Sequence, residues 1–182
     1  MKKHIILFIF IFSISFISCK TSKSTIITSK EKAKEKGIYS YNEKNAKSNK
    51  KGKSHKTKEN IVDTAKEYLG VKYKSSGTTK SGMDCSGLVY TSFLAYDIEL
   101  SRVSSDMAKE GREISTSKAE EGDLIFFKTN NSKTINHVGI ITENHKGEIK
   151  FIHSSTSKGV IISSLNEPYY AKAFEKIKRI IE

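Results

Sequence analysis

The 182-residue chain reads as an α+β protein, and three observations carry that reading. Apolar residues recur at helical spacing in residues 61–69 and again in residues 88–96. From Asp123 onward that period gives way to short apolar or alternating runs separated by turn residues. Helices that come first and strands that follow predict a helical layer packed on an antiparallel sheet of about five strands. Residues 59–182 are long enough to bury a core, and the composition changes abruptly where they begin.

What precedes them reads as address and spacer. Lys2 and Lys3, an apolar run from Ile5 to Phe12 and on to Ile17, and small Ser18 form the succession of a secretory signal, with a run too short to span a bilayer comfortably. Ser18-Cys19 resembles a bacterial lipobox, although Phe16 stands where leucine is usual. Residues 1–18 are therefore expected to be a lipoprotein signal peptide and Cys19 the lipidated new N-terminus, with ordinary cleavage nearby as the alternative. Lipidation of Cys19 leaves Cys85 as the only thiol, which excludes an intramolecular disulfide in a compartment that would permit one. Metal ligation, reactivity or burial remain as reasons to carry it.

The net charge of +12 suggests nucleic acid until its placement is seen. Residues 20–58 hold 13 lysines and three acids, whereas residues 59–182 hold 17 basic and 17 acidic side chains. Residues 19–58 read as a lipidated, basic, disordered tether, because so few large apolar residues cannot offset the entropy of ordering. Such a tether suits anionic headgroups or wall polymers, or simply a solvated spacer. Nucleic-acid binding is not expected, since Tyr39 and Tyr41 are too few to interleave aromatics with the lysines.

Within the domain, Ile61, Val62, Ala65, Tyr68 and Leu69 predict an amphipathic helix ended by Gly70. Val71 to Gly82 reads as an irregular loop, with Tyr73 either a packing aromatic or a site group. Leu88, Val89, Ser92, Phe93 and Tyr96 mark the buried stripe of a second helix, with Cys85 on its first turn. A short helix through Met107 and Ala108 follows, and Arg102 before it is a surface charge or a substrate contact. Strands are expected at 123–128, 137–142, 148–153, 159–163 and 174–181, with the hairpin loop at 143–147 and Pro168 in a loop.

Cys85 is the candidate nucleophile, because a thiol at a helix N-terminus meets unpaired amides and the positive end of the dipole, which favours the thiolate. Of five histidines, His4, His55 and His145 fall in the signal, the tether and a hairpin tip, which leaves His137 and His153. Paired directly across a hairpin centred on His145, both rings stand on one sheet face; a bulge at Gly147 would shift the register by one and part them. If the Cys85 helix packs on that face, the thiol meets both imidazoles, with His137 as base, His153 as its orienting partner and helix amides as an oxyanion site. Zinc ligation by the same three residues is the rival, though no close-paired ligand spacing accompanies it.

Four ordered blocks then resemble one family: Asp84-Cys85-Ser86-Gly87-Leu88-Val89, Glu121-Gly122-Asp123-Leu124-Ile125-Phe126-Phe127, His137-Val138-Gly139-Ile140 and Phe151-Ile152-His153-Ser154-Ser155. Residues 59–182 resemble the NlpC-like cell-wall cysteine peptidases, a compact papain-like group of bacterial enzymes. The resemblance implies a papain-like fold and hydrolysis of peptidoglycan stem peptides, between γ-linked D-glutamate and a diamino acid or at a crosslink. It implies Cys85, His137 and His153 as the catalytic set, Tyr73 as an aid to the oxyanion site, and Asp84 and Ser86 as substrate and support positions. Where family members commonly carry a glycine pair after the tyrosine, this chain has Lys74-Ser75-Ser76-Gly77, and its histidine hairpin is longer than in the tightest members.

The expected protein is thus a monomeric peptidoglycan endopeptidase without metal or cofactor, held by its lipid in the bacterial envelope. The outer membrane facing the periplasm is preferred, since Lys20 is no obvious retention signal. A noncatalytic peptidoglycan-binding scaffold, and an amidase or acyltransferase on the same fold, are the alternatives.

Overall fold

In the computed structural model, which describes residues 50–182, helix α1 (Lys50–Lys66) is followed by a small hairpin of β1 (Thr78–Thr79) and β2 (Gly82–Met83). Helix α2 (Cys85–Leu94) and the short α3 (Ser104–Met107) complete the helical part. Strands β3 (Arg112–Ile114), β4 (Leu124–Phe127), β5 (His137–His145), β6 (Glu148–Ser155), β7 (Gly159–Ser164) and β8 (Phe174–Arg179) form one antiparallel sheet, with α4 (Pro168–Ala173) between the last two. Their spatial order is β3-β8-β4-β5-β6-β7: a meander from β4 to β7, with β8 returning to the free edge of β4.

The expected α+β order holds, with differences that have local causes. The signal, Cys19 and the tether up to residue 49 lie outside the described residues. Helix α1 begins at Lys50 rather than after residue 58, so the last part of the expected tether is helical. Lys58 is buried and pairs with Glu120 at 3.1 Å, and Arg179 meets Asp123 through two bonds of 2.9 and 2.8 Å. That ion cluster ties α1 to the strand ends, a partner no local pattern could reveal. The sheet has six strands rather than five because three-residue β3 pairs with β8. The expected loop at Pro168 contains α4, with proline at its first turn where a missing N–H costs nothing.

The sheet is covered on both faces. Ile61, Val62 and Ala65 of α1 and Leu88, Val89 and Phe93 of α2 share one core with Leu124, Phe126, Val138, Ile140 and Ile152. Ile125, Phe127, Ile141, Phe151 and Ile177 face the other way, against Tyr170 of α4. Strand β4 is therefore buried throughout, as its unbroken apolar run requires.

Register decides where the two histidines stand. Strand β5 runs to His145 and turns on Lys146-Gly147, both with positive φ (51° and 87°), so the loop has two residues rather than five. That turn alone would put His137 and His153 on opposite faces. The register shifts between Ile141 and Glu143, and this one-residue bulge brings Ile140 opposite Ile152. His153 consequently faces Gly139 and lies diagonal to His137 on the same face. The bulge restores the phase that the turn would have spoiled.

Candidate active site

Asp84 sets the start of α2. Its backbone is extended (φ −91°, ψ 178°), and its carboxylate accepts the Gly87 N–H at 2.7 Å, an N-cap bond. Gly87 has to be glycine, because a Cβ there would run into the Gly77 carbonyl oxygen. Gly77 is equally constrained by the Gly82 carbonyl, and Ser76 before it takes a left-handed conformation (φ 58°). The segment that lacks the glycine pair thus still makes its turn, with a serine in the unusual region.

Arg102 locks this end of the helix. Its guanidinium donates to both Asp84 oxygens at 2.8 Å, to Ser86 Oγ at 2.7 Å and to the Gly77 carbonyl at 3.2 Å. A bidentate pair of this kind fixes geometry as well as charge. Arg102, expected as a surface charge or a substrate contact, braces the helix cap, with Asp84 and Ser86 as its partners.

Cys85 follows the cap directly and is buried, with 8% of its surface exposed. Sγ lies 4.0 Å from the carbonyl oxygen of Asn136, the residue just before β5. Backbone N–H groups of Val138, Ser86 and Cys85 favour the thiolate, but burial outweighs them and Asp84 adds to it, so the thiol pKa is raised. Burial thus works against the thiolate that the helix end favours. Tyr73 borders the same place: its backbone bridges Met83, it is 36% exposed, and partial burial followed by the nearby thiol raises its phenol pKa.

Helices α1 and α2 cover the sheet face opposite the histidines, since Val138, Ile140 and Ile152 belong to their core. The thiol does not stack over the imidazoles; it approaches the N-terminal end of β5, flanked by Asn136 and Val138, and His137 lies between those two in the chain. His137 Nε2 and His153 Nδ1 are 2.9 Å apart, with the rings nearly perpendicular at 83°.

His153 is fully buried, and its Nε2 lies 3.2 Å from both Ser163 Oγ and Tyr170 Oη. Burial holds His137 down to about 4; burial and then the neighbouring His137 hold His153 down to about 3. Both rings are neutral at neutral pH. Sequence reading missed Ser163 and Tyr170: one is a hydroxyl in an ordinary strand, the other belongs to a helix of only six residues.

Between neutral rings one nitrogen donates and the other accepts. With His137 Nε2–H donating to His153 Nδ1, His153 Nε2–H faces the two hydroxyls and His137 Nδ1 is left as a base. As zinc ligands the rings would have to give up this mutual bond. Among the described residues no group of three or more His, Cys, Asp or Glu side chains gathers as a metal site.

The family model described as the NlpC/P60 family matches residues 70–179, which include the capped cysteine, both histidines and the whole meander. The chain belongs to the NlpC/P60 family. It is 39% identical over 125 residues to an Escherichia coli K12 protein named murein DD-endopeptidase MepS/murein LD-carboxypeptidase, covering 68% of this chain and 63% of that one. It is 34% identical to the gamma-D-glutamyl-L-lysine dipeptidyl-peptidase of Bacillus subtilis, covering 68% of this chain and 41% of the relative. Among solved structures, an NlpC/P60 family protein from Bacillus cereus superposes with a TM-score of 0.62 at 29% identity, covering 69% of this chain and 40% of that one. The chain thus spans less than two thirds of the length of these relatives, and the NlpC/P60 domain is the shared part. The fold is papain-like, as the ordered blocks implied.

Proposed function

We propose that this protein is a peptidoglycan endopeptidase that cleaves stem-peptide amide bonds through a thioester. The observation that carries the reading is the relay itself: a capped-helix cysteine at the end of β5, and a neutral His137 whose Nε2 is taken by a buried His153 at 2.9 Å. Nδ1 of His137 removes the Sγ proton as sulfur attacks the carbonyl carbon, and a C–S bond forms. The oxyanion lies toward the Cys85 and Ser86 amides, with the Tyr73 hydroxyl beside them. The C–N bond then breaks, and the His137 imidazolium returns its proton to the leaving nitrogen. A water deprotonated by His137 attacks the thioester, which releases the carboxylic acid and restores the thiol.

His153 orients His137 and is itself held by Ser163 and Tyr170. The murein-directed names of the relatives support the substrate class, and the finer choice, γ-D-glutamyl to diamino acid or a crosslink, is part of the proposal. A monomer anchored through lipid on Cys19, with the basic tether as spacer and the outer membrane as its site, completes it. Mass spectrometry of muropeptides incubated with the full chain tests the reading. Cleavage by the wild type and none by Cys85→Ala is the expected result, and intact substrate in both would overturn it.

A further inference from the structure

A groove of about 300 Å³ opens beside His137, on the side of the sheet away from α1 and α2. Its walls come from three places that the fold brings to one end of the sheet: the β4–β5 loop at Asn130, the β6–β7 turn at Lys158, and α4 at Tyr169. The half-exposed Tyr169 donates to Asn130 Oδ1 at 3.1 Å, so loop and helix are joined across the groove. Glu167 also lines it and is held by the Ser164 N–H at 2.8 Å. Lys158 is the one lysine or arginine lining it and has no ion-pair partner among the described residues.

Which half of a substrate would lie there follows from the mechanism. The acyl half is bonded to Sγ and its oxygen is stabilised near Tyr73 and the α2 amides. The leaving nitrogen must be within reach of the imidazole that protonates it. The chain that departs with that nitrogen therefore continues past His137, where the groove begins. A cation there, in a domain whose formal charges balance, is a local feature rather than part of a broad field.

Resting on the peptidase reading above, we propose that this groove holds the leaving-amine half of the scissile peptide, and that Lys158 takes a free carboxylate of that half. The ligand class is an amino acid or short peptide whose amine is freed by cleavage and which still carries an ionised carboxyl group.

The test uses two stem peptides that differ only in whether the carboxyl group on the leaving side is free or a carboxamide, assayed with the wild-type full chain, Lys158→Ala and Lys158→Glu. Reversal of the charge should raise KM for the free acid about tenfold and leave the carboxamide within about twofold, with kcat little changed. Equal changes for both peptides, or none, would overturn the proposal. A second measurement separates it from the reading beneath it: amide chemical shifts of the full-length Cys85→Ala chain with the free-acid peptide. Shifts at Asn130, Lys158 and Tyr169 are expected. Changes confined to Tyr73 and the start of α2 would remove the groove and leave the peptidase standing, whereas absence of both binding and cleavage would remove both.

Discussion

Acidification from pH 8 to pH 5 should weaken this fold through two desolvated imidazoles, His153 buried and His137 partly buried, and the size of the effect follows from their surroundings. An imidazole in the unfolded chain titrates at 6.5, whereas folded His137 and His153 are held at about 4 and about 3. The unfolded state therefore binds more protons between those limits, and stability falls as the pH drops. At pH 5 each ring contributes a loss of about 2 kcal/mol, about 4 kcal/mol together, as an upper figure for a coupled pair. Glu121, whose carboxyl pKa is raised by burial, works in the opposite direction. Urea unfolding at four pH values measures the sum, and His153→Asn, which keeps a hydrogen-bonding side chain without a titrating ring, isolates one half. The variant should lose about half of the pH slope with its m-value unchanged. A flat profile for the wild type between pH 7 and pH 5, or equal slopes in wild type and variant, would refute the reasoning.

Three further outcomes follow from the site. Tyr170→Phe keeps the ring contacts with Phe127 and Phe151 but removes one hydroxyl from His153, so kcat should fall about tenfold with KM unchanged, and Tyr170→Phe with Ser163→Ala should fall further; steady-state kinetics across pH checks both. Asp84→Ala removes a helix cap and leaves Arg102 without its carboxylate, with an expected cost of about 2 to 3 kcal/mol in chemical unfolding, whereas Asp84→Asn should recover the cap share of about 1 kcal/mol. Alkylation of Cys85 in the free protein should accelerate only at a pH above the range of an ordinary thiol, because burial raises its pKa; a midpoint near neutrality would contradict that effect of burial.

Much of the site was legible because it is local. Cys85 on the first turn of a helix, and the apolar stripe from Leu88 to Phe93 that shows which face is buried, are both local signals. The histidine pair was placed on a common face by a register that the protein does not use. The real turn at Lys146-Gly147 and the bulge after Ile141 are offsets that cancel, and only cross-strand pairing reveals both. The brace made by Arg102 and the support given by Ser163 and Tyr170 were not legible for one shared reason: each acts through a partner at least ten residues away in the chain. At Cys85 the helix-end electrostatics can be seen in a sequence, whereas the desolvation that opposes it cannot.

The central claim is that Cys85, deprotonated by His137 and positioned through His153, breaks a peptide bond of the peptidoglycan stem. Its most direct measurement is mass spectrometry of defined muropeptides after incubation with the wild-type chain, Cys85→Ala and His137→Ala. Two product masses that sum to the substrate plus one water are expected for the wild type alone. Intact muropeptide with the wild type, or the same products from Cys85→Ala, would contradict it.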